Sequence, residues 1–572
     1  MLGQIFKDGI ENTLNSKFNL NPFIFNNFMQ KNKNELLKLI DNEELLSDLI
    51  KVINFLKKER KLPLLIIYLD LFCSKFPNNY DAVLLLAKSS LMLGMFDTAE
   101  NTLKKIPTKL YTIEHLKILS NLYFKQSNFE KCIKIIENIR KQSGLDEVNV
   151  LMMLDCLLRL RRFKDIENEI PNLSKVNIDE CTEKLFFIKF DIAQNNFEIG
   201  LSKINEFDKN CKNLEEFNSL KILILGKFRK YDEAIQYIQN SNDLSKKYDY
   251  SLFNLYFCNG NFKSGADFLY KETKDIELDN YFLSSGLNKW ENQNLDNKIL
   301  IVYRNKGIVL GDQIFFYRYI NFLNTNFPNT KIIFCTSERF SYLFQSDKIK
   351  IVELNKVDNL LNNPENIYFI SLIGIFKKYH EKQDKLSILK FEKFLPLHQK
   401  KYDFWKNYFL KSNSKKKIGL NWKGNLKYAQ DLYRSLDIHQ LDEIINFTEF
   451  EFYSLNFDIT ENEIEYINNK TNFHIIDKKL FSSERTNAFI ETIEILRNLN
   501  LVITTDTALA HLAAALKIKT IILLEFSPFW YWNTDEKNNY YDNDCLKFIN
   551  QNEPGNWSSV LKKLSKHLKE QD

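Results

Sequence analysis

Paired cysteines are missing from this 572-residue chain. Its eight cysteines, Cys73, Cys132, Cys156, Cys181, Cys211, Cys258, Cys335 and Cys545, are scattered, and none forms a Cys-x-x-Cys pair. Neither a disulfide framework nor a zinc site is therefore expected. Most of them fall in apolar helical patterns, where a free thiol packs as a small hydrophobe. That points to a reducing, cytoplasmic compartment. A dominant charge is missing too: 79 basic residues face 74 acidic ones, a net charge of +5. This gives no support for a nucleic-acid binder, which needs a concentrated basic face. Long apolar runs are absent, since the longest, Leu62 to Phe72, is interrupted by Asp70 and is too short to cross a bilayer. Residues 1–19 lack the basic start and apolar core of a secretory signal. What remains, 44% hydrophobic and 27% charged residues, fits a globular protein. The length exceeds one core and implies three or four domains.

A period runs through the first half. An aromatic after a short polar or glycine turn recurs at Phe96, Phe129, Phe163, Phe197, Tyr231 and Phe262, at gaps of 33, 34, 34, 34 and 31. Leu62 lies 34 before Phe96 and begins the series. Three residues after each aromatic stands Ala99, Cys132, Ile166, Gly200, Ala234 or Gly265, small in five of six cases. The pattern resembles the tetratricopeptide repeat, a two-helix unit. The resemblance implies that the small residue permits close helix contact and that units stack into an α-solenoid over residues 58–290, after a helical lead-in at 1–57.

Beyond Trp290 the period changes from helical to alternating. Short apolar strands are expected at Lys298–Tyr303, Lys331–Cys335, Lys350–Leu354 and Ile367–Ile370, with an aromatic helix over 313–324. A polar linker at 291–294 precedes them, and a second, 411–417, follows. A fresh set of strands is expected at Ile418–Trp422, Phe450–Leu455, His474–Asp477, Leu501–Thr505 and Lys519–Leu524. Strands alternating with helices predict two parallel α/β domains, 297–410 and 415–572, with a ligand cleft between them.

Three stretches carry candidate chemistry. Leu501–Leu516 reads as a strand feeding a helix capped by Thr505 or Asp506. A helix N-terminus there is an anion site suited to a diphosphate, which Asp506 and His511 can both approach. Asp312, in Gly311-Asp312, stands at a strand-to-helix turn, as a proton acceptor or a cap. The loop from Trp422 to Ser435 holds Gly424 and Asn425, with Lys423, Lys427 and Arg434 to oppose phosphate charge. Aromatics at 529–532 either flank a base or sugar or pack in the core. The triplet Asp542-Asn543-Asp544 reads as a solvated turn rather than a metal site.

Taken in order, Gly311-Asp312 with Arg318-Tyr319, Trp422-x-Gly424-Asn425 to Arg434-Ser435, Asp506-Thr507-x3-His511, Trp530-x-Trp532 and Pro554-Gly555-Asn556-Trp557 resemble glycosyltransferase family 9, the heptosyltransferase-like enzymes. The likeness is to the bacterial branch in which tetratricopeptide repeats precede the transferase. It implies a GT-B fold of two Rossmann-like domains and a metal-independent transfer of sugar from a nucleotide-sugar, which is substrate and not cofactor. By carry-over, Asp312 is the catalytic base. Asn425, Lys427, Arg434, Thr505, Asp506, Thr507, His511 and Trp532 contact the donor, no residue holds a metal, and the repeats hold a protein or glycan acceptor. Phe315 and Tyr428 stand where the family often has histidine. The alternative is a non-catalytic repeat scaffold carrying an inactive or nucleotide-sensing transferase fold.

Overall fold

The computed structural model describes residues 33–206, 214–240, 249–344, 349–354, 356–357, 366–381, 395–410, 415–425, 428, 431–481, 489–532, 541 and 544–570. It forms two compact units, Met1–Glu180 and Cys181–Asp572.

The first unit is a run of helical hairpins: Glu43–Lys58 with Leu62–Lys75, Tyr80–Met92 with Phe96–Leu103, Ile113–Lys125 with Phe129–Ser143, and Glu147–Arg159 with Phe163–Leu173. The residue two before each second helix, Arg60, Gly94, Ser127 or Arg161, has positive φ. The next N–H bonds back across the turn: Lys61 to the Leu56 carbonyl, Met95 to Ser90, Asn128 to Tyr123 and Arg162 to Leu157, at 2.8–3.0 Å. These are Schellman closures, in which one left-handed residue lets the chain satisfy the last helical carbonyls and reverse. The 34-residue period is thus a repeat of turn geometry. Glycine serves only Gly94 among these four, because the left-handed conformation can be tolerated elsewhere at a cost of roughly 1–2 kcal/mol.

The second unit opens with three more hairpins of the same design, Glu180–Ala193 with Phe197–Asn205, Leu214–Lys227 with Tyr231–Gln239, and Asp249–Cys258 with Phe262–Thr273. They turn at Asn195, Arg229 and Gly260. The small position does what the pattern implies: a Cβ on Gly265 would lie 2.8 Å from the Phe257 ring. Ala234 is fully buried. Against the expectation of no disulfide framework, Cys181 is disulfide-bonded. A Cys-x-x-Cys spacing does not mark it, since no cysteine stands three residues from Cys181.

Two all-parallel sheets follow in the same unit. The first contains β1 (Asn288–Lys289), β2 (Ile299–Tyr303), β3 (Lys331–Thr336), β4 (Ile349–Glu353) and β5 (Ile367–Ser371), in the order β1-β5-β2-β3-β4. The second contains β6 (Lys416–Asn421), β7 (Phe450–Ser454), β8 (Phe473–Ile475), β9 (Leu501–Thr505), β10 (Thr520–Leu524) and β11 (Leu546–Asn550), in the order β11-β10-β9-β6-β7-β8. Strands β2, β9 and β10 are near-continuous apolar runs because both faces are covered. Strands β1 and β11 were not expected: one is two residues long, and the other, Leu546–Asn550, is mostly only partly buried and lies at an edge. Of the expected second linker, 411–414 lies outside the described residues, while Lys416 and Lys417 already belong to β6. One core cluster spans the last hairpin and both sheets, drawing in Phe257, Phe316, Phe376 and Trp530.

Replacing Ser127 by Gly is expected to raise stability by about 1 kcal/mol, since the turn holds Ser127 at φ 59°. Gly94→Ala, at φ 73° with open space around it, is expected to lower it. Urea unfolding monitored by circular dichroism checks both signs.

Candidate active site

In open parallel sheets, ligands bind beyond the carboxyl ends of strands where the order of winding reverses. In the first sheet that reversal lies between β2 and β5, in the second between β6 and β9. The helix Leu310–Asn326 follows β2, and the helix Ala508–Ala515 follows β9. These two helices pack against each other at their N-terminal turns. A Cβ on Gly311 would come within 2.9 Å of the His511 ring and 3.5 Å of the Ala508 Cα, so only glycine allows this approach. The two reversal points are thereby held face to face.

Asp312 sits at the third position of its helix, half-buried, with its carboxylate accepting the Val309 N–H at 3.2 Å. Across from it, Asp506 is 8% exposed and accepts the Trp532 indole N–H at 2.6 Å. Thr507, not Thr505 or Asp506, is the residue before the Ala508 helix, and no side chain caps it. The reason is that the Thr507 hydroxyl is drawn to the second sheet. There it accepts the Asn421 amide at 3.1 Å and lies 3.2 Å from the Thr504 hydroxyl. The buried Thr505 hydroxyl has no hydrogen-bond partner among the described residues.

The loop after β6 is folded over itself by one acid. Asp431, 2% exposed, accepts the Arg434 Nε–H at 3.1 Å and the Ser435 hydroxyl at 2.9 Å, and Ser435 accepts the Gly424 N–H at 3.1 Å. The pair lies so close over Gly424 that a Cβ there would meet Asp431 at 2.3 Å and Arg434 at 2.6 Å. Arg434 also lies 4.9 Å from the Tyr428 ring centre. Lys423, expected to oppose phosphate, instead pairs with Glu463 at 2.5 Å and is 8% exposed. The sequence shows an available lysine, but not the capping-box glutamate 40 residues on that claims it.

Charges are crowded here and poorly hydrated. Burial pushes Asp312 up to about 6, with Asp506 adding to the shift and the Val309 N–H and Arg434 opposing it. Burial also raises Asp506, against Arg434, the Trp532 indole and Lys227. Burial disfavours the Arg434 cation, but Asp506 and Asp431 outweigh it and raise its pKa. His511 is pushed down to about 3 by burial and by the nearby cations Arg318 and Arg434. It is a neutral imidazole, 1% exposed, bonded through Nδ1 to the Tyr541 hydroxyl and packed on Trp532 at 4.7 Å.

The structure thus brings Asp312, Arg434, Asp506, Thr507, His511 and Trp532 into one region. Thr505 is fully buried behind it. Asn425 is exposed at the start of the loop's turn. Lys427 lies outside the described residues, as do Asp542 and Asn543 of the acidic triplet. Trp532 is fully buried, against Tyr541 and His511. Sequence reasoning missed Asp431, whose spacing of three from Arg434 was a signal. It also missed Glu525, directly after β10, where strand-end position was a signal. Lys227 offered none.

The fold and site define a protein of two tandem parallel α/β sheets with charged side chains gathered at their facing reversal points. No protein-family model matches the chain, and no curated protein matches it. Among solved structures it is similar to a glycosyl transferase of family 9 from Veillonella parvula, at 12% identity over 49% of this chain and 98% of that one, with a TM-score of 0.35. It is also similar to E. coli ADP-heptose LPS heptosyltransferase II (12% identity, 48% and 100% covered, TM-score 0.33). A third is an E. coli heptosyltransferase with ADP (10%, 48% and 100%, 0.30). At such scores the site stands on its own geometry.

Two outcomes are expected. Trp532→Phe strips a donor from a buried carboxylate and is expected to cost about 1–3 kcal/mol in urea unfolding at pH 7. Asp312→Asn is expected to stabilise the fold, with the following sign. The folded pKa of Asp312 lies above its ordinary 3.8, so the acid's favourable contribution is complete below the unfolded value and is lost as pH rises through about 6. The melting temperature of Asp312→Asn is thus expected to exceed that of the parent at pH 7–8 and to match it at pH 4.

Proposed function

We propose that the chain is a glycosyltransferase that moves a sugar from a nucleotide-sugar to an acceptor hydroxyl. The observation that carries this reading is the face-to-face placement of Asp312 and the uncapped Ala508 helix, with Arg434 beside Asp506. The motifs that resemble family 9 fall on these same residues. A diphosphate fits the end of the Ala508 helix, where the N-terminal amides and the dipole favour an anion. Arg434 adds positive charge as the leaving group departs.

Asp312 is the base. With a pKa near 6 it is largely ionised at neutral pH yet close enough to accept a proton as transfer proceeds. The acceptor oxygen bonds to the anomeric carbon, the carbon–oxygen bond to the diphosphate breaks with its electron pair on the leaving group, and the hydroxyl proton passes to Asp312. The chemistry asks for no resident metal, since arginine and helix end meet the charge. Trp532 and His511 support the site from behind, Trp532 by holding Asp506, and Thr507 and Asn425 complete the donor side. The repeats recruit the acceptor, a protein or glycan. The sealing of His511 among aromatics favours one second reading, a transferase fold that binds nucleotide without transfer.

A thermal-shift screen against ADP-, UDP-, GDP- and CDP-sugars without metal tests the proposal. Donor at about 100 times its dissociation constant adds about 2.7 kcal/mol of apparent stability. Asp312→Asn is expected to abolish transfer and leave donor affinity within a few-fold; equal loss of affinity contradicts its role as base. Burial already raises Asp506, and an incoming diphosphate adds negative charge beside it, so binding is expected to take up protons at pH 7, read by calorimetry in buffers of different ionisation heat.

A further inference from the structure

The segment that follows β10 is held residue by residue from the helical hairpins. The Lys227 ammonium pairs with Glu525, the two side chains being 9% and 14% exposed. Arg229 donates to the Phe526 carbonyl at 2.9 Å from Nε, and its guanidinium lies 4.3 Å from the Phe526 ring centre. The Tyr231 and Ser527 hydroxyls are 2.9 Å apart. Phe253 meets Phe529 edge-on. The Trp530 N–H donates to Asn254 Oδ1 at 3.1 Å, and its ring stacks on Phe257 at 4.2 Å. Two residues later the chain reaches Trp532, whose indole holds Asp506. Lys227 also lies 5.1 Å from the ring centre of Tyr433, the neighbour of Arg434. A single lysine at the end of a repeat helix therefore touches both loops that carry the site. Left-handed Arg229, where a glycine would turn as well, spends its side chain on the same segment.

We propose that Lys227 is a positioning residue of the candidate active site: the hairpins complete the site by holding the Glu525–Trp532 segment, and Lys227 supplies its third cation beside Arg434 and Arg318. This rests on the reading of Asp506 as part of the donor site. Neutralising Lys227 leaves Glu525 buried without its partner and removes positive charge from the neighbourhood of Asp506, a change that packing alone does not make. The other groups around Asp506 are Arg434 and Asp431 from the loop after β6, Glu525 and Trp532 from the segment after β10, and Asp312 and the Tyr531 and Tyr541 phenols.

The test is the pH titration of the Trp532 indole N–H signal in the full chain labelled with 15N-tryptophan, assigned by its loss in Trp532→Phe. It needs no nucleotide, so it decides the inference even where the nucleotide screen fails. Lys227→Met is expected to move the midpoint up by about one pH unit, and Lys227→Arg to restore it. Lys230→Met, an exposed lysine one turn on, is expected to leave it in place. Lys227→Gln serves where Lys227→Met does not melt cooperatively. For a nucleoside diphosphate that binds the parent, the dissociation constant is expected to rise about tenfold in Lys227→Met, a shift of about 1.4 kcal/mol. An unmoved midpoint in a cooperatively melting neutral variant overturns the proposal, as does a shift that Lys227→Arg fails to reverse.

Discussion

Everything in the second unit leans on one constraint: carboxylates are kept out of water where two helix N-termini meet. A buried carboxylate is tolerated only with donors and cations around it. Asp506 has the Trp532 indole and Arg434, Glu525 has Lys227, Asp431 has Arg434 and Ser435, and Asp312 has the Val309 N–H. These partners come from a hairpin helix, from loops after β6 and β10, and from the helix after β2. Removing one leaves the others with charge that little solvent screens.

The arrangement also accounts for where glycine appears. Gly311 and Gly424 lie at two close approaches, one between helices and one beneath an Asp–Arg pair. Both are bounded by side chains that bear on the site. The hairpins obey a different rule, since their turns accept serine, asparagine or arginine at positive φ. Stability there is sacrificed at several turns, and at Arg229 the side chain gained in exchange reaches the Phe526 carbonyl.

Much of this was legible in the sequence, for identifiable reasons. Buried parallel strands such as Leu501–Thr505 are short apolar runs with polar ends, so their bounds are sharp. The hairpin period is visible because each turn must repeat its geometry. The cap of the Ala508 helix was misplaced because Thr507 answers to Asn421 and Thr504, contacts between strands that local capping preference does not see. Strand β1, only two residues long, carries too little pattern to read. Lys423 looked free because its partner Glu463 lies on another helix. Lys227 was invisible, 298 residues from Glu525 in the chain, and no spacing rule spans that distance.

The central claim is that a nucleoside diphosphate seats between the sheets at the Ala508 helix. Hydrogen exchange of the full chain, read by mass spectrometry with and without ADP, UDP, GDP and CDP, tests it most directly. The account predicts that one of them slows exchange at amides 506–510 and 423–425 while the hairpins before Lys227 are unchanged. Protection confined to the hairpins or to the C-terminal helix, or no protection from any of the four, would contradict it.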